Sequence, residues 1–244
     1  MPKIYLSPST QEFNPYVNGG NEEQYMNLVA DAMEPYLTAS GIQFSRNTPS
    51  MTAASSIAAS NAGNYDFHLA LHSNASGGVA GSRRGSEFYY YPSSANSKRF
   101  ADIGAKNMSL IYPLPNMVIT VPTTSLGEVA RTKAPSVLVE IAYHDNVEDA
   151  NWIKNNIEAI ASNLAYSLTE YFGLPFNLPQ PIFTATVATM GSPLNIRYAP
   201  STSSTVVGRI PNGSEVTVYA QVPEWSVVGY NGVVGYVATR YLLY

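Results

Sequence analysis

The sequence predicts an α/β domain with a mostly parallel sheet flanked by helices, followed by a small all-β barrel. Three observations carry this. Up to Phe172, short apolar runs alternate with stretches of helical periodicity, the pattern of strands and crossover helices. A proline-rich segment follows, with Pro175, Pro179 and Pro181 close together, which cannot continue a helix and favours an extended connector. Beyond it the residues are rich in Val, Thr and Tyr and broken by turn signals at Gly191-Ser192-Pro193, Pro211-Asn212-Gly213 and Tyr230-Asn231-Gly232, which reads as short strands. The expected division is residues 1–173, a linker at 174–183, and residues 184–244.

Within the first part, Lys3 to Ser7 reads as a strand. Residues 21–40 carry Tyr25, Leu28, Val29, Ala32, Met33 and Leu37 at helical spacing and stop at Gly41. Residues 42–45 form a second short strand and residues 53–61 a second helix. The run from Tyr65 to His72 is nearly all apolar, as expected of a strand buried on both faces. Residues 87–91 follow as a strand and 95–111 as a helix. Residues 136–141 are another buried strand. Residues 149–172, with Trp152, Ile153, Ile157, Ile160, Ala161, Leu164 and Leu168 on one stripe, read as a single long helix.

Composition narrows the chemistry. The chain has 45% hydrophobic and 12% charged residues, a globular balance, and a net charge of −4 without a basic run, so no nucleic-acid partner is expected. It has no cysteine, which excludes disulfides, thiolate metal sites and a cysteine nucleophile. No apolar run approaches the ~20 residues of a membrane span. The opening residues do not read as a signal peptide, so release by lysis or by non-classical export is the expected route to any target outside the cell. The 18 tyrosines suit either an aromatic core or stacking on sugar rings.

Reactive side chains in parallel sheets gather at the carboxyl ends of strands. His72 ends one buried strand and is followed by Asn74. Glu140 ends another and is followed by His144. Glu22 opens the first long helix after a glycine-rich turn. Glu140 lies in an apolar strand, where a carboxylate is costly unless paired or beside a metal; a salt bridge to Arg131 is the plain alternative. An acid in a first helical turn, such as Glu22, is also favoured by the helix dipole alone. His68 and His72 share a strand face but stand roughly 13 Å apart along it, so both cannot bind one metal, and His68 is read as a core histidine. These residues suggest an oxygen-and-nitrogen zinc site with an open position.

Residues 69–75 (Leu-Ala-Leu-His-Ser-Asn-Ala) and 134–141 (Ala-Pro-Ser-Val-Leu-Val-Glu-Ile), followed by Asn146, resemble the two most diagnostic stretches of zinc-dependent N-acetylmuramoyl-L-alanine amidases. Glu22, Val29-Ala30 and Glu148-Asp149-Ala150 match in order, and the resemblance covers roughly residues 3–172. It implies Zn²⁺ held by Glu22 and His72, with Glu140 as the catalytic carboxylate that takes a proton from water and returns it to the leaving amine. It implies peptidoglycan as substrate, with Asn74 and Arg131 assigned to substrate binding. The sequence departs from the family in one place: after the first strand, where a zinc-binding histidine is usual, residues 7–14 contain none. His144 is the favoured replacement ligand, an oxygen of Gln11 or Glu12 is the other, and a degenerate site on a non-catalytic wall-binding protein is the alternative.

Residues 185–204, 207–218 and 232–237 resemble bacterial SH3-like domains, which implies attachment to the cell wall. Tyr198, Trp225, Tyr230 and Tyr236 are the candidate wall-binding aromatics, with plain barrel filling as the competing role for each. The whole chain thus resembles an endolysin or autolysin.

Overall fold

The computed structural model describes residues 1–244. The chain forms two compact units: Lys3–Met33 with Phe44–Tyr171, and Met1–Pro2 with Glu34–Gln43 and Phe172–Tyr244.

The elements from the N-terminus to Phe172 are β1 (Lys3–Pro8), α1 (Glu22–Ala39), β2 (Gln43–Arg46), α2 (Ala53–Ala62), β3 (Phe67–Asn74), β4 (Ser86–Tyr90), α3 (Ala95–Met108), β5 (Val118–Pro122), α4 (Gly127–Ala130), β6 (Ser136–Tyr143), α5 (Val147–Asn155) and α6 (Ile157–Phe172). The sheet runs in the order β2-β1-β3-β6-β4-β5. Pairings β1–β3, β3–β6 and β4–β5 are parallel, while β4 runs antiparallel to β6. The mostly parallel sheet flanked by helices is therefore present. Strands β3 and β6 lie at its centre, and Phe67, Leu69, Leu71, Val137, Val139 and Ile141 are buried, as their unbroken apolar runs require.

Polar caps set several helix starts. Thr52 closes a capping box with Ser55 at α2, the Ser94 side chain accepts from the backbone of Ser97 at α3, and Asn146 accepts from the backbone of Glu148 and Asp149 at α5. The expected single helix over 149–172 is two helices. Asn156 interrupts it with φ −129° and ψ 23°, and its side chain donates to the Trp152 carbonyl at 2.8 Å. That side-chain bond competes with the helical backbone pattern. Two elements escaped the sequence reading. Strand β5 is a half-exposed edge strand ending on a proline, and α4 has only four residues, too few to show a period.

In the other unit, β7 (Phe183–Val187), β8 (Leu194–Arg197), β9 (Val206–Ile210), β10 (Glu215–Val222), β11 (Trp225–Tyr230), β12 (Val233–Ala238) and β13 (Leu242–Leu243) form a seven-stranded sheet. Its pairings are antiparallel around a core that includes Val187, Ile196, Ile210, Val218, Val228 and Val237. The β11–β12 hairpin turns on Asn231 and Gly232, with φ of 48° and 76°. Two positive values match a type I′ turn, which this pair of residues favours. The start of the proline-rich segment is packed within this unit: Phe176 stacks on Tyr36, and the Asn177 side chain donates to the Ala39 carbonyl at 2.9 Å. No helix of the protein is long and apolar enough to cross a membrane.

Candidate active site

Strand register brings the site together. His72 of β3 pairs with Glu140 of β6, and Glu140 pairs with Glu87 of β4, so the three side chains form a row across adjacent strands. Ser9, just past β1, bonds through its N–H to the Leu71 carbonyl and stands next to that row. Helix α1 begins at Glu22, whose Oε1 lies 2.7 Å from His72 Nδ1. Asn14 donates to the other Glu22 oxygen at 2.6 Å, and the Gln11 amide nitrogen is 3.3 Å from the same His72 Nδ1.

The second ring nitrogen, His72 Nε2, lies 3.1 Å from Glu128 Oε2. Glu128 belongs to α4, which covers this face of the sheet through Val129 packed with Ala70 and Leu138. Its Oε1 accepts from the Ser7 hydroxyl and lies 3.3 Å from His68 Nε2. His68 Nδ1 in turn meets Ser60 Oγ at 2.9 Å. His68 is thus a core histidine with both nitrogens satisfied. It shares a carboxylate with His72 despite their separation along the strand.

Electrostatics follow from this packing. Burial works against a charged His72, but the hydrogen bonds and negative charges of Glu128 and Glu22 overcome it and hold the imidazole well above its usual pKa. Burial likewise opposes ionisation of Glu22 and Glu128. His72, with Asn14 and Ser9, keeps Glu22 below the usual carboxylate range, and His68 and His72 keep Glu128 well below it. Glu140 is different. Burial pushes its pKa up to about 8; attraction to His72 only partly offsets this, and the charges of Glu22 and Glu87 add to it. Its Oε2 is shut away from solvent without a hydrogen-bond partner. Glu87 is held ready beside it by the hydroxyls of Tyr89 and Tyr143 (2.8 Å for the latter) and by the Asn74 amide at 3.3 Å.

A cleft of 760 Å³ opens onto His72 and Glu128, walled by the β1 loop residues Ser9, Thr10 and Gln11 on one side and by Asn47, Met51 and Ser56 on the other. It is large enough for a glycopeptide fragment.

The structure brings together Glu22, His72, Gln11 and, along the sheet row, Glu140 and Asn74. His144 is engaged elsewhere. That ring stacks on Tyr16 and its Nδ1 meets the Pro15 carbonyl at 3.1 Å, so it ties the segment before the glycine-rich turn to the end of β6. Glu22, His72 and His144 do not form a three-residue metal cluster. Arg131 is exposed at the end of α4 and makes no ion pair with Glu140; its backbone N–H donates to the Gly127 carbonyl and its own carbonyl accepts from Asn61. Glu128 and Glu87 were missed. Glu128 sits in an element too short to read, and Glu87 looked like one polar position in an alternating strand.

Among the barrel aromatics, Tyr236 cannot meet a ligand: it is 0% exposed, with its hydroxyl on the Ser40 carbonyl. Tyr198 donates to the Phe172 carbonyl, and Tyr230 packs on the core with its hydroxyl near Ser214. Trp225 does line a groove, of 470 Å³, together with Met190, Arg197, Arg240 and Tyr241.

A cleft opens onto His72, which stands between the carboxylates of Glu22 and Glu128, with Glu140 beside it on the next strand. Residues 10–170, well over half of the chain, match the family model described as N-acetylmuramoyl-L-alanine amidase, and the chain belongs to that family. Residues 192–242 match the bacterial SH3 domain. Among solved structures, the chain is similar to the amidase AmiC2 of Nostoc punctiforme, with 15% identity over 70% of this chain and 97% of that one and a TM-score of 0.62. The catalytic domain of CwlV from Bacillus (Paenibacillus) polymyxa var. colistinus gives 17% identity, 72% and 100% coverage and 0.62. The catalytic domain of the CD27L endolysin targeting Clostridia difficile gives 20%, 70% and 98%, and 0.58. Comparison with curated proteins finds no match.

Proposed function

We propose that the protein is a zinc-dependent, endolysin- or autolysin-like enzyme that hydrolyses the amide between N-acetylmuramic acid and L-alanine in peptidoglycan. Residues 1–173 act as the catalytic domain, and residues 184–244 hold the enzyme on the bacterial wall. The observation that carries this reading is the unpartnered oxygen of Glu140 in one row with His72, itself against Glu22.

The residues present give an incomplete donor set for zinc. Glu22 Oε1 and His72 Nδ1 converge at 2.7 Å, and the Gln11 amide reaches the same nitrogen at 3.3 Å. These are two strong donors and one neutral one, not a closed set of three His or acidic ligands. A half-turn of the Gln11 amide would present its oxygen, at the cost of the 3.1 Å bond it accepts from Asn14. The surplus of carboxylates around Glu140 also favours a cation. Zinc bound there would polarise the scissile carbonyl and make water more acidic.

The chain's own residues do the rest. Ionised Glu140 accepts a proton as water attacks the lactyl carbonyl carbon, and then returns it to the nitrogen as the C–N bond breaks. The products are a lactyl carboxylic acid and the free α-amine of L-alanine. The unusually high pKa of Glu140 suits the second, acid half of this cycle at neutral pH. Glu87, fixed by two tyrosines and Asn74, is placed to receive a polar group of the peptide.

Product analysis on purified walls tests the reading. New alanine amino termini without new reducing sugar ends, abolished by a chelator and restored by zinc, are expected. Release of sugar reducing ends alone, or no product with zinc present, would sink it. For the wall-binding unit, Trp225→Ala is expected to lower retention on sedimented walls at least tenfold, while cleavage of a soluble muramoyl-peptide continues. Unchanged retention would remove Trp225 from the binding surface.

A further inference from the structure

We propose that the groove beside Trp225 is an anion-binding channel, in which Arg197 and Arg240 take the phosphates of a phosphodiester-linked polymer of the wall. This rests on the wall-binding reading above and names the ligand of that unit.

One strand sets the spacing of the three residues. Trp225 opens β11 and pairs with Ala238 at the end of β12, a partner too small to cover an indole. Arg197 ends β8 and pairs with Tyr236 of β12, and Arg240 follows two residues after Ala238, in a 3-10 turn at Thr239–Tyr241. Two hollows meet here. The groove of 470 Å³ and an adjoining one of 400 Å³ share Thr202, Trp225, Ala238 and Arg240. The space therefore continues on both sides of the indole, as an extended chain requires.

Charge decides the class of ligand. Arg197 Nη1 donates to the Ser204 carbonyl at 2.8 Å, which holds the side chain and leaves its other N–H donors open. Arg240 is exposed, with its guanidinium 5.0 Å from the centroid of the Tyr241 ring. No carboxylate lines the larger groove, and the one acid of the two linings, Glu224, belongs to the smaller hollow. A stem peptide carries ammonium as well as carboxylate groups, so a groove with two guanidiniums and no acid does not suit it. A phosphodiester chain offers one anion at each repeat, and guanidinium forks match phosphate oxygens in pairs. Its sugar or polyol links can lie on the indole and on Met190, which is fully exposed at the rim. The protein as a whole has a net charge of −4. General attraction thus works against a polyanion, and the local placement of these arginines has to supply it.

The test titrates poly(glycerol phosphate) into the full-length protein and measures sedimentation with Gram-positive walls that carry this polymer. The walls are used before and after hydrofluoric acid strips their phosphodiester chains, and the protein carries Glu140→Gln so that they stay uncut. The polymer is expected to bind, more weakly as salt is raised, and stripping should lower retention about tenfold. Arg240→Ala should weaken polymer binding roughly tenfold. Arg209→Ala, which removes the same charge outside both hollows, should change it by no more than about twofold. Equal retention on stripped and intact walls would overturn the proposal and point to the peptidoglycan itself, leaving the wall-binding reading in place. No retention on either would remove that reading as well. Equal losses in the two arginine variants would reduce the contact to net charge and also overturn the proposal. The comparison of intact with stripped walls decides the matter without any groove variant.

Discussion

Glu140→Gln is expected to lower amide hydrolysis by about 10²- to 10⁴-fold while making the metal-free protein more stable in alkaline solution. The first effect follows from removing the proton acceptor and donor while keeping its shape. The second follows from linkage. The folded-state pKa of Glu140 is raised from 4.5 to about 8, so the folded chain binds a proton more tightly than the unfolded chain. Stability from this group is fully present below pH 4.5, declines as pH rises, and is lost by about pH 8. At about 1.4 kcal/mol per pH unit, the loss is on the order of a few kcal/mol. Glutamine does not titrate, so the variant lacks this decline. Urea unfolding between pH 4 and 9 in the presence of a chelator checks it: the two curves should run parallel near pH 4 and diverge above it, with the variant ahead. Parallel curves throughout would mean that Glu140 is not held protonated, and unimpaired hydrolysis would remove it from the chemistry.

Most of this site was legible because sheets place strand ends together. Continuous apolar strands carrying His72 and Glu140 near their carboxyl ends were readable as buried strands of a parallel sheet; that they lie side by side, in register, only the fold shows. Glu22 was legible as the first residue of a helix with clear periodicity. The remainder depended on side-chain direction, which periodicity does not encode. His144 follows β6 as closely as a ligand would, yet its ring turns to Tyr16 and Pro15. Tyr236 alternates correctly for a barrel strand, but its face is the buried one. Glu128 comes from four residues of helix between two loops, and only the fold over Ala70 and Leu138 reveals that it reaches both histidines of β3.

Asp149→Ala is expected to cost about 3–5 kcal/mol, from three buried donors left unsatisfied at about 1–3 kcal/mol each. Asp149 is fully buried at the start of α5, and four donors converge on it. Oδ1 accepts from Arg84 Nε at 2.9 Å and the Tyr112 hydroxyl at 2.6 Å. Oδ2 accepts from the backbone N–H of Gly85 at 3.1 Å and of Tyr143 at 3.2 Å. Truncation leaves a buried hydroxyl and two buried amides without their acceptor, and the desolvation of each stays unrepaid, while the partly exposed Arg84 turns to water. The consequence reaches the site. Gly85 leads directly into β4, which carries Glu87, and Tyr143 ends β6, three residues after Glu140, with its hydroxyl on Glu87. Asp149 therefore joins the two strand ends that bear neighbouring carboxylates to the helix that follows them. At roughly 2–4 °C per kcal/mol for a domain of this size, the melting transition should fall by about 6–20 °C. Hydrolysis measured well below that transition should also drop, because Glu87 and Glu140 lose their common support. Asp149→Asn keeps one acceptor oxygen and should fall between. A melting point within a degree or two of wild type would show that the four donors find other partners, and that the strand ends are held by the sheet alone.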